Sequence, residues 1–292
     1  MQGEPPAVAR RRVRLALRRF RGHSNMSQTE VAGRLGWSLS KMQRIELGEV
    51  GVSPTDLRAL LQLYGVEDTQ ETARLIDDAR TSRRQRWWMG PEYRQSLTAG
   101  LRLLLQFESE ATAIRVYQPF LVPGILQTAA FAEHVLAWLD ESLTDEERTV
   151  RLGVRMLRKE VLRREGAPEY FLIVDEAVLL RKVGGAKTMA EQLEELAEAS
   201  RLPNIHIRVI PLAQGAHAGI LGPFQILSLG DDDEDAVLYQ ESYIRDSVSH
   251  VREEIDFRRM IFEKLWVQSR DEDVTRRAII AAAARLRSEL DQ

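Results

Sequence analysis

Residues 26–46 read MSQTEVAGRLGWSLSKMQRIE, and this stretch decides the fold of the N-terminal part of the chain. Ser27 followed three residues later by Glu30 forms a capping box, which predicts that a helix begins at Gln28. Gly36 supplies a turn, and Ser38 is a cap for the next helix. Two short capped helices joined by a tight turn predict a helix-turn-helix.

The second of these helices has a polar outer face. Met42 and Ile45 are spaced to face inward. The side chains left to face outward are Leu39, Ser40, Lys41, Gln43 and Arg44. Glutamine and arginine can make paired hydrogen bonds to adenine and guanine, serine can bond bases or phosphates, and leucine can touch a thymine methyl group. The sequence therefore predicts that this helix reads DNA.

The whole pattern from Gln28 to Gly48 resembles the XRE family of phage-repressor-like regulators. The resemblance implies a structural pair between Arg21 and Glu46, and a phosphate contact by Gln28. It also implies DNA contacts by residues at the start of the reading helix and one turn further: Ser38, Leu39, Ser40, Lys41, Gln43 and Arg44. Trp37 and Leu39 depart from the usual family pattern, so the DNA sequence stays open. The alternative is a pair of packed helices in another small bundle.

Charge divides the chain into two parts. Residues 1–86 hold 16 lysines and arginines against 10 aspartates and glutamates, whereas residues 87–292 hold 25 against 34. A basic segment beside an acidic remainder is typical of a DNA reader with an appended domain of another function. Seven arginines lie on or before the first helix, where they either contact phosphate or form a solvated face: Arg10, Arg11, Arg12, Arg14, Arg18, Arg19 and Arg21.

Composition limits the possible classes of protein. A chain of 292 residues with 44% hydrophobic residues can bury a sizeable core, and its length predicts two domains. Cysteine is absent, which excludes disulfides, thiolate zinc sites and a cysteine nucleophile. Apolar runs are far shorter than the ~20 residues of a membrane helix, and arginines interrupt any secretory signal pattern. We expect a soluble cytoplasmic protein with no membrane contact, cofactor or metal.

The predicted fold class is α+β, with an N-terminal five-helix helix-turn-helix bundle followed by a mixed helix/strand C-terminal domain. Ser53 and Pro54 open the fourth helix, and residues 68–80 form the fifth. The predicted domains are residues 1–86 for DNA binding, 87–91 as linker, and 92–292 for effector or partner binding and dimerisation. Trp87 and Trp88, at the junction, are expected to pack between domains or subunits rather than to stack on bases.

Periodicity predicts alternating helices and strands in the second domain. The predicted helices are residues 92–110, 126–139, 145–164, 187–201, 251–268 and 271–290. The predicted strands are residues 114–117, 170–174, 205–210, 224–227 and 236–239. The continuous apolar run at 170–174 is typical of a fully buried strand, and the alternation at 205–210 indicates a half-exposed one.

Four phrases of this domain resemble the uncharacterised C-terminal domain of actinomycete regulators of the WhiJ type. They are YQPFLVPGILQT at 117–128, VDEA at 174–177, VGG at 183–185 and GAHAG at 215–219. The resemblance implies a small acidic protein partner of the BldB type, and for some pairs an antitoxin-like relationship. The sequence itself leaves open whether the domain binds protein or a small molecule.

Enzymatic activity is not expected. Residues 183–188 lack the glycine spacing of a phosphate loop, and Asp175 is expected to cap a helix rather than to form a catalytic pair with Glu176. His217, in a glycine-flanked loop, is the candidate ligand or partner residue, with an ordinary loop histidine as the alternative. We expect a homodimeric DNA-binding transcription regulator. The alternatives are an antitoxin-like module that neutralises a small partner, with DNA binding secondary, and an enzyme addressed to DNA.

Overall fold

The computed structural model of the chain describes residues 6–82, 88, 90, 93, 96–139, 143–230, 236–241 and 246–290. The chain divides into two compact units, Met1–Gly90 and Pro91–Gln292. Most of the predicted linker, including Trp87, lies outside the described residues. Trp88 is described and is 8% exposed.

The N-terminal unit is a bundle of short helices, as the sequence predicted. Its described helices are α1 (Pro6–His23), α2 (Gln28–Leu35), α3 (Leu39–Glu46), α4 (Pro54–Leu63) and α5 (Thr69–Ser82). Serine hydroxyls accept backbone N–H bonds at the starts of α2, α3 and α4. One apolar core joins all five helices. Its most enclosed members are Leu17, Val31, Met42, Leu57, Leu60 and Ala79.

The C-terminal unit combines helices with a mixed sheet, which confirms the α+β class. Its described helices are α6 (Ala99–Glu110), α7 (Ala129–Leu139), α8 (Asp145–Arg158), α9 (Glu176–Leu180), α10 (Gly185–Ala199), α11 (Arg252–Gln268) and α12 (Glu272–Ser288). Its described strands are β1 (Ala113–Gln118), β2 (Glu169–Asp175), β3 (Ile205–Ile210), β4 (Phe224–Ser228), β5 (Ala236–Gln240) and β6 (Ser247–Ser249). None of the helices in the described ranges is both long and apolar enough to cross a bilayer.

The six strands form one sheet in the order β3-β2-β1-β4-β5-β6. The first three are parallel, and β4, β5 and β6 add antiparallel pairings. The apolar run at 170–174 becomes part of β2, between two parallel neighbours, where both faces are covered. Strand β3 lies at the edge and keeps its alternating burial.

Helices cover the two faces of this sheet unequally. Apolar residues of α6, α7, α10 and α12 share the core on one face. On the other face the fully buried apolar residues in the described part of the chain come from the strands and from α11, which contributes Ile255, Ile261, Phe262 and Leu265. Each face is therefore buried, but α11 has its outer side turned away from the sheet.

Several element boundaries differ from the predicted ones. Helix α6 begins at Ala99, after Thr98 caps it, rather than at residue 92. Helix α7 begins at Ala129 because the chain first makes a short 3₁₀ turn at Gly124–Leu126. Helix α8 ends at Arg158 and tightens into a 3₁₀ turn at Lys159–Leu162 instead of continuing to 164. Strand β6 was not predicted.

Candidate nucleic-acid interface

Local hydrogen bonds fix the geometry of the helix-turn-helix. The Ser27 N–H donates to the Glu30 carboxylate at 2.8 Å, and the Glu30 N–H donates to the Ser27 hydroxyl at 3.2 Å. The first of these bonds lowers the pKa of Glu30. Gly36 adopts φ +66°, a left-handed conformation that costs glycine little, and its turn ends α2. The Ser38 hydroxyl accepts the Lys41 N–H at 3.1 Å and starts α3.

A buried carboxylate at the end of α3 ties three segments together. Glu46 is 2% exposed and accepts hydrogen bonds from Arg21 Nε at 2.6 Å and Arg21 Nη2 at 3.0 Å. These bonds raise the pKa of Arg21. Gln28 Nε2 donates to the same carboxylate at 2.7 Å, and Arg21 Nη1 donates to the Met26 carbonyl at 3.0 Å. The cluster orients α3 against α1 and α2.

Gln28 thus has a structural contact at the position where the sequence predicted a phosphate contact. A glutamine amide nitrogen carries two hydrogens, and Glu46 accepts one of them. The side chain is half-buried at the start of α2. The second hydrogen can serve a phosphate while the first holds the amide in place.

The outer face of α3 carries the other predicted DNA contacts. Met42 and Ile45 are buried in the core, as their spacing indicated. The side chains on the opposite face are exposed, except that Lys41 is half-buried: Ser38, Leu39, Ser40, Lys41, Gln43 and Arg44. Leu39 is 40% exposed, an apolar contact point at the start of the helix. The structure therefore brings these six residues to one accessible surface.

Two cations of this face are already engaged, which the sequence did not reveal. Lys41 Nζ lies 3.7 Å above the Trp37 ring and 3.2 Å from Asp56 Oδ2. Arg44 Nε lies 3.6 Å from Glu49 Oε2. The ring and the carboxylate confine Lys41. Among the described residues the Arg44 side chain has one ion pair, so its exposed guanidinium is freer to reorient. The Trp37 ring, which lies just before α3, therefore restrains Lys41.

Several arginines of α1 bind within the unit. Arg10 is 4% exposed and donates to the Ser82 carbonyl at 2.7 Å. Arg12 lies 3.1 Å from Asp78, and Arg19 pairs with Glu71. Because α1 packs along α5, these cations hold the bundle together rather than forming a fully solvated face.

In the C-terminal unit, His217 lies against the end of strand β2. Its Nε2 is 3.4 Å from Asp175 Oδ2, and its Nδ1 accepts the Gly219 N–H at 3.2 Å. Asp175 also caps α9, accepting the Ala177 N–H at 3.2 Å, as the sequence predicted. Both imidazole nitrogens are therefore engaged, and the histidine anchors its loop to the sheet.

Glycine is needed in this loop for close packing. A Cβ atom on Gly219 would lie 2.4 Å from the Tyr117 hydroxyl oxygen, so a larger residue would displace the loop. Neighbouring Glu176 accepts the Leu212 N–H at 2.9 Å and an Arg270 N–H at 3.1 Å. Beyond these anchors the loop presents Ile220, which is 83% exposed, and Leu221, which is 54% exposed.

Two known families match separate parts of the chain, one in each of the two compact units. Residues 13–75 match a helix-turn-helix domain. Residues 101–281 match DUF5753, a domain of unknown function. Neither the curated proteins nor the solved structures gave a significant match.

Proposed function

This chain belongs to the DUF5753 family, and we propose that it is a sequence-specific transcription regulator of the XRE kind. In this proposal residues 1–86 read an operator and residues 92–292 bind an effector or partner and mediate dimerisation. The proposal includes the WhiJ-type kinship of the second domain, and it places the protein in the cytoplasm with the DNA that it reads.

The outer face of α3 carries this proposal. It combines serine, glutamine and arginine side chains with an apolar residue, and all of them project from a helix whose other side is locked into the core. A rigid helix with exposed donors and acceptors can enter the major groove and distinguish base pairs. A two-fold pair of such helices would match a palindromic operator, which is why we propose a homodimer.

Replacing Arg44 with alanine is expected to weaken binding to a selected operator by about 10- to 100-fold, the range for one lost bidentate base contact. Binding to unrelated DNA should fall much less, so the ratio of specific to non-specific affinity should collapse. The measurement is selection of genomic fragments with the wild-type chain, followed by titration of the operator and a scrambled duplex at several salt concentrations.

Arg74→Ala is the matched control, because Arg74 is an exposed arginine of α5, outside the reading helix. It removes the same charge and should leave the specificity ratio unchanged. Equal losses for both variants on both duplexes would mean that Arg44 acts by charge alone. Absence of any selected sequence for the wild type would contradict the proposal.

For the second domain we propose a protein partner that docks on the loop at 215–222. The anchored backbone of the loop supports this proposal, since exposed apolar side chains on a fixed loop are typical of protein contact sites. The resemblance to WhiJ-type regulators suggests a small acidic protein of the BldB type. His217 would then hold the loop in position and would not itself contact the partner.

The double variant Ile220→Glu, Leu221→Glu is expected to bind a purified small acidic protein of the BldB type at least about tenfold more weakly than the wild type. Isothermal titration with the full chain measures this. Ile280→Glu, which changes a 46% exposed residue of α12, should bind normally. Equal affinity of all three proteins would contradict the loop as the docking site.

One observation favours the antitoxin-like alternative. Lys41 and Arg44 both contact acidic residues of their own unit, which lowers the positive charge that α3 offers to phosphate. If DNA binding is secondary, Arg44→Ala should leave neutralisation of the partner intact, whereas the Ile220 and Leu221 variant should abolish it.

We propose no catalytic role for Asp175, Glu176 or His217. A general base needs a free nitrogen or oxygen directed at substrate, whereas His217 uses one nitrogen on Gly219 and the other on Asp175.

A further inference from the structure

Helix α11 carries a second stripe besides the one that it buries against the sheet. Glu253, Phe257, Met260 and Lys264 follow one another at spacings of four, three and four residues, the repeat of a coiled-coil seam. Phe257 is 48% exposed and Met260 is 43% exposed, while Ile255 and Phe262 on the inner side are buried. The outer stripe is therefore apolar in its centre and charged at both ends.

The charges at the two ends of this stripe are opposite and unused. Within the ranges that the structure describes, neither the Glu253 carboxylate nor the Lys264 ammonium makes an ion pair or hydrogen bond. Both side chains are exposed. An antiparallel copy of the same helix would place an acidic end against a basic end twice, by symmetry.

We propose that two copies of this chain pair through α11 in antiparallel orientation. In the matching register Phe257 of one copy packs on Met260 of the other, and Glu253 of one lies opposite Lys264 of the other. Each layer occurs twice, so two central apolar layers are flanked by two ion pairs. This arrangement is isologous, the contact type of a two-fold dimer, and rests on the homodimer of the proposed function.

The residues that flank the stripe in this register are acidic on both copies. Asp256, which would approach Glu263 of the other copy, has its own cations: Arg252 Nε lies 3.4 Å away and Arg259 Nη1 lies 3.3 Å away. Those contacts reduce the repulsion between the two acidic flanks. The parallel arrangement lacks complementarity, because it would place Glu253 beside Glu253 and Lys264 beside Lys264.

Charge reversal tests the pairing without DNA. The wild type is expected to sediment as a dimer, with a dissociation constant on the order of micromolar for a small seam. Glu253→Lys and Lys264→Glu should each weaken the dimer by about tenfold, and the variant with both changes should regain it. A wild-type monomer at about 100 μM, or no rescue in the double variant, would overturn the proposal.

Cross-linking gives a second test, because the chain contains no cysteine. Glu253→Cys with Lys264→Cys should form a covalent dimer on oxidation, and neither single variant should. The two positions of one helix are about 16 Å apart, too far for an internal disulfide. Failure to cross-link while a dimer sediments would place the dimer contact elsewhere and overturn the seam. The DNA titrations of Arg44→Ala report separately on the proposed function.

Discussion

Replacing Arg158 with methionine is expected to lower the free energy of unfolding of the C-terminal unit by about 3–5 kcal/mol. Arg158 Nη2 and Nε donate to the two oxygens of Glu108 at 2.6 and 3.0 Å. The side chains of Arg158 and Glu108 are 7% and 2% exposed. Methionine fills a similar volume but leaves the carboxylate buried without its partner. Denaturant titration of the full chain, followed by the fluorescence of its tryptophans, measures the loss.

The double change Glu108→Gln with Arg158→Met is the control for this prediction. Removing both charges should restore much of the lost stability, because the cost comes from a buried charge without compensation. Arg155 lies beside this pair, and burial together with the Arg158 charge lowers the pKa of Arg155 to about 10. Removing Arg158 removes that repulsion, whereas the burial of Arg155, the larger cause, remains. Additive losses in the double variant would contradict a coupled pair.

The sequence predicted the helix-turn-helix well because its signals are local. A capping box spans four residues, a turn glycine acts at its own position, and helical spacing shows which side chains face inward. Ser27, Gly36 and Met42 each have the predicted conformation or burial. The strand at 170–174 was equally clear, since a continuous apolar run between polar segments indicates a buried strand.

Contacts between residues distant in sequence were harder to predict. The run of arginines before residue 22 allows a solvated face or a phosphate contact. The partners of Arg10 and Arg12, at the end of α5, lie 72 and 66 residues away. The link between Asp175 and His217 likewise joins the end of a strand to a remote loop. None of these three contacts has a local signature in the sequence, because tertiary packing creates them.

On the outer face of α3, too, local features could be predicted from the sequence and tertiary contacts could not. Its residues follow from helical spacing, but the contacts that restrain Lys41 do not. Trp37 precedes α3, and Asp56 belongs to the next helix. The two groups that restrain Lys41 therefore come together only once the bundle has packed. A lysine ammonium held in this way points in one fixed direction and can reach fewer acceptor atoms on DNA. We expect Gln43 and Arg44 to contribute more to base selection.

Replacing Arg21 with methionine is expected to abolish operator binding and to lower the free energy of unfolding of the N-terminal unit by about 3–5 kcal/mol. The change leaves Glu46 buried with the Gln28 amide as its remaining side-chain hydrogen-bond donor among the described residues. It also removes the bond to the Met26 carbonyl, which precedes the cap of α2. For a unit of this size such a loss is a large fraction of the total free energy of unfolding. Hydrogen exchange of the α2 and α3 amides, measured beside DNA titration, reports both effects.

Two further variants separate charge from geometry in this cluster. Arg21→Lys keeps the positive charge but cannot donate from two nitrogens in one plane, so it should retain part of the stability and bind the operator more weakly than the wild type. Arg21→Met combined with Glu46→Gln removes the uncompensated carboxylate and should regain stability. It should regain little DNA affinity, because the fork that aligns α3 with α1 is still missing. Full operator affinity in that double variant would show that the pair serves folding alone and that α3 needs no such alignment to read DNA.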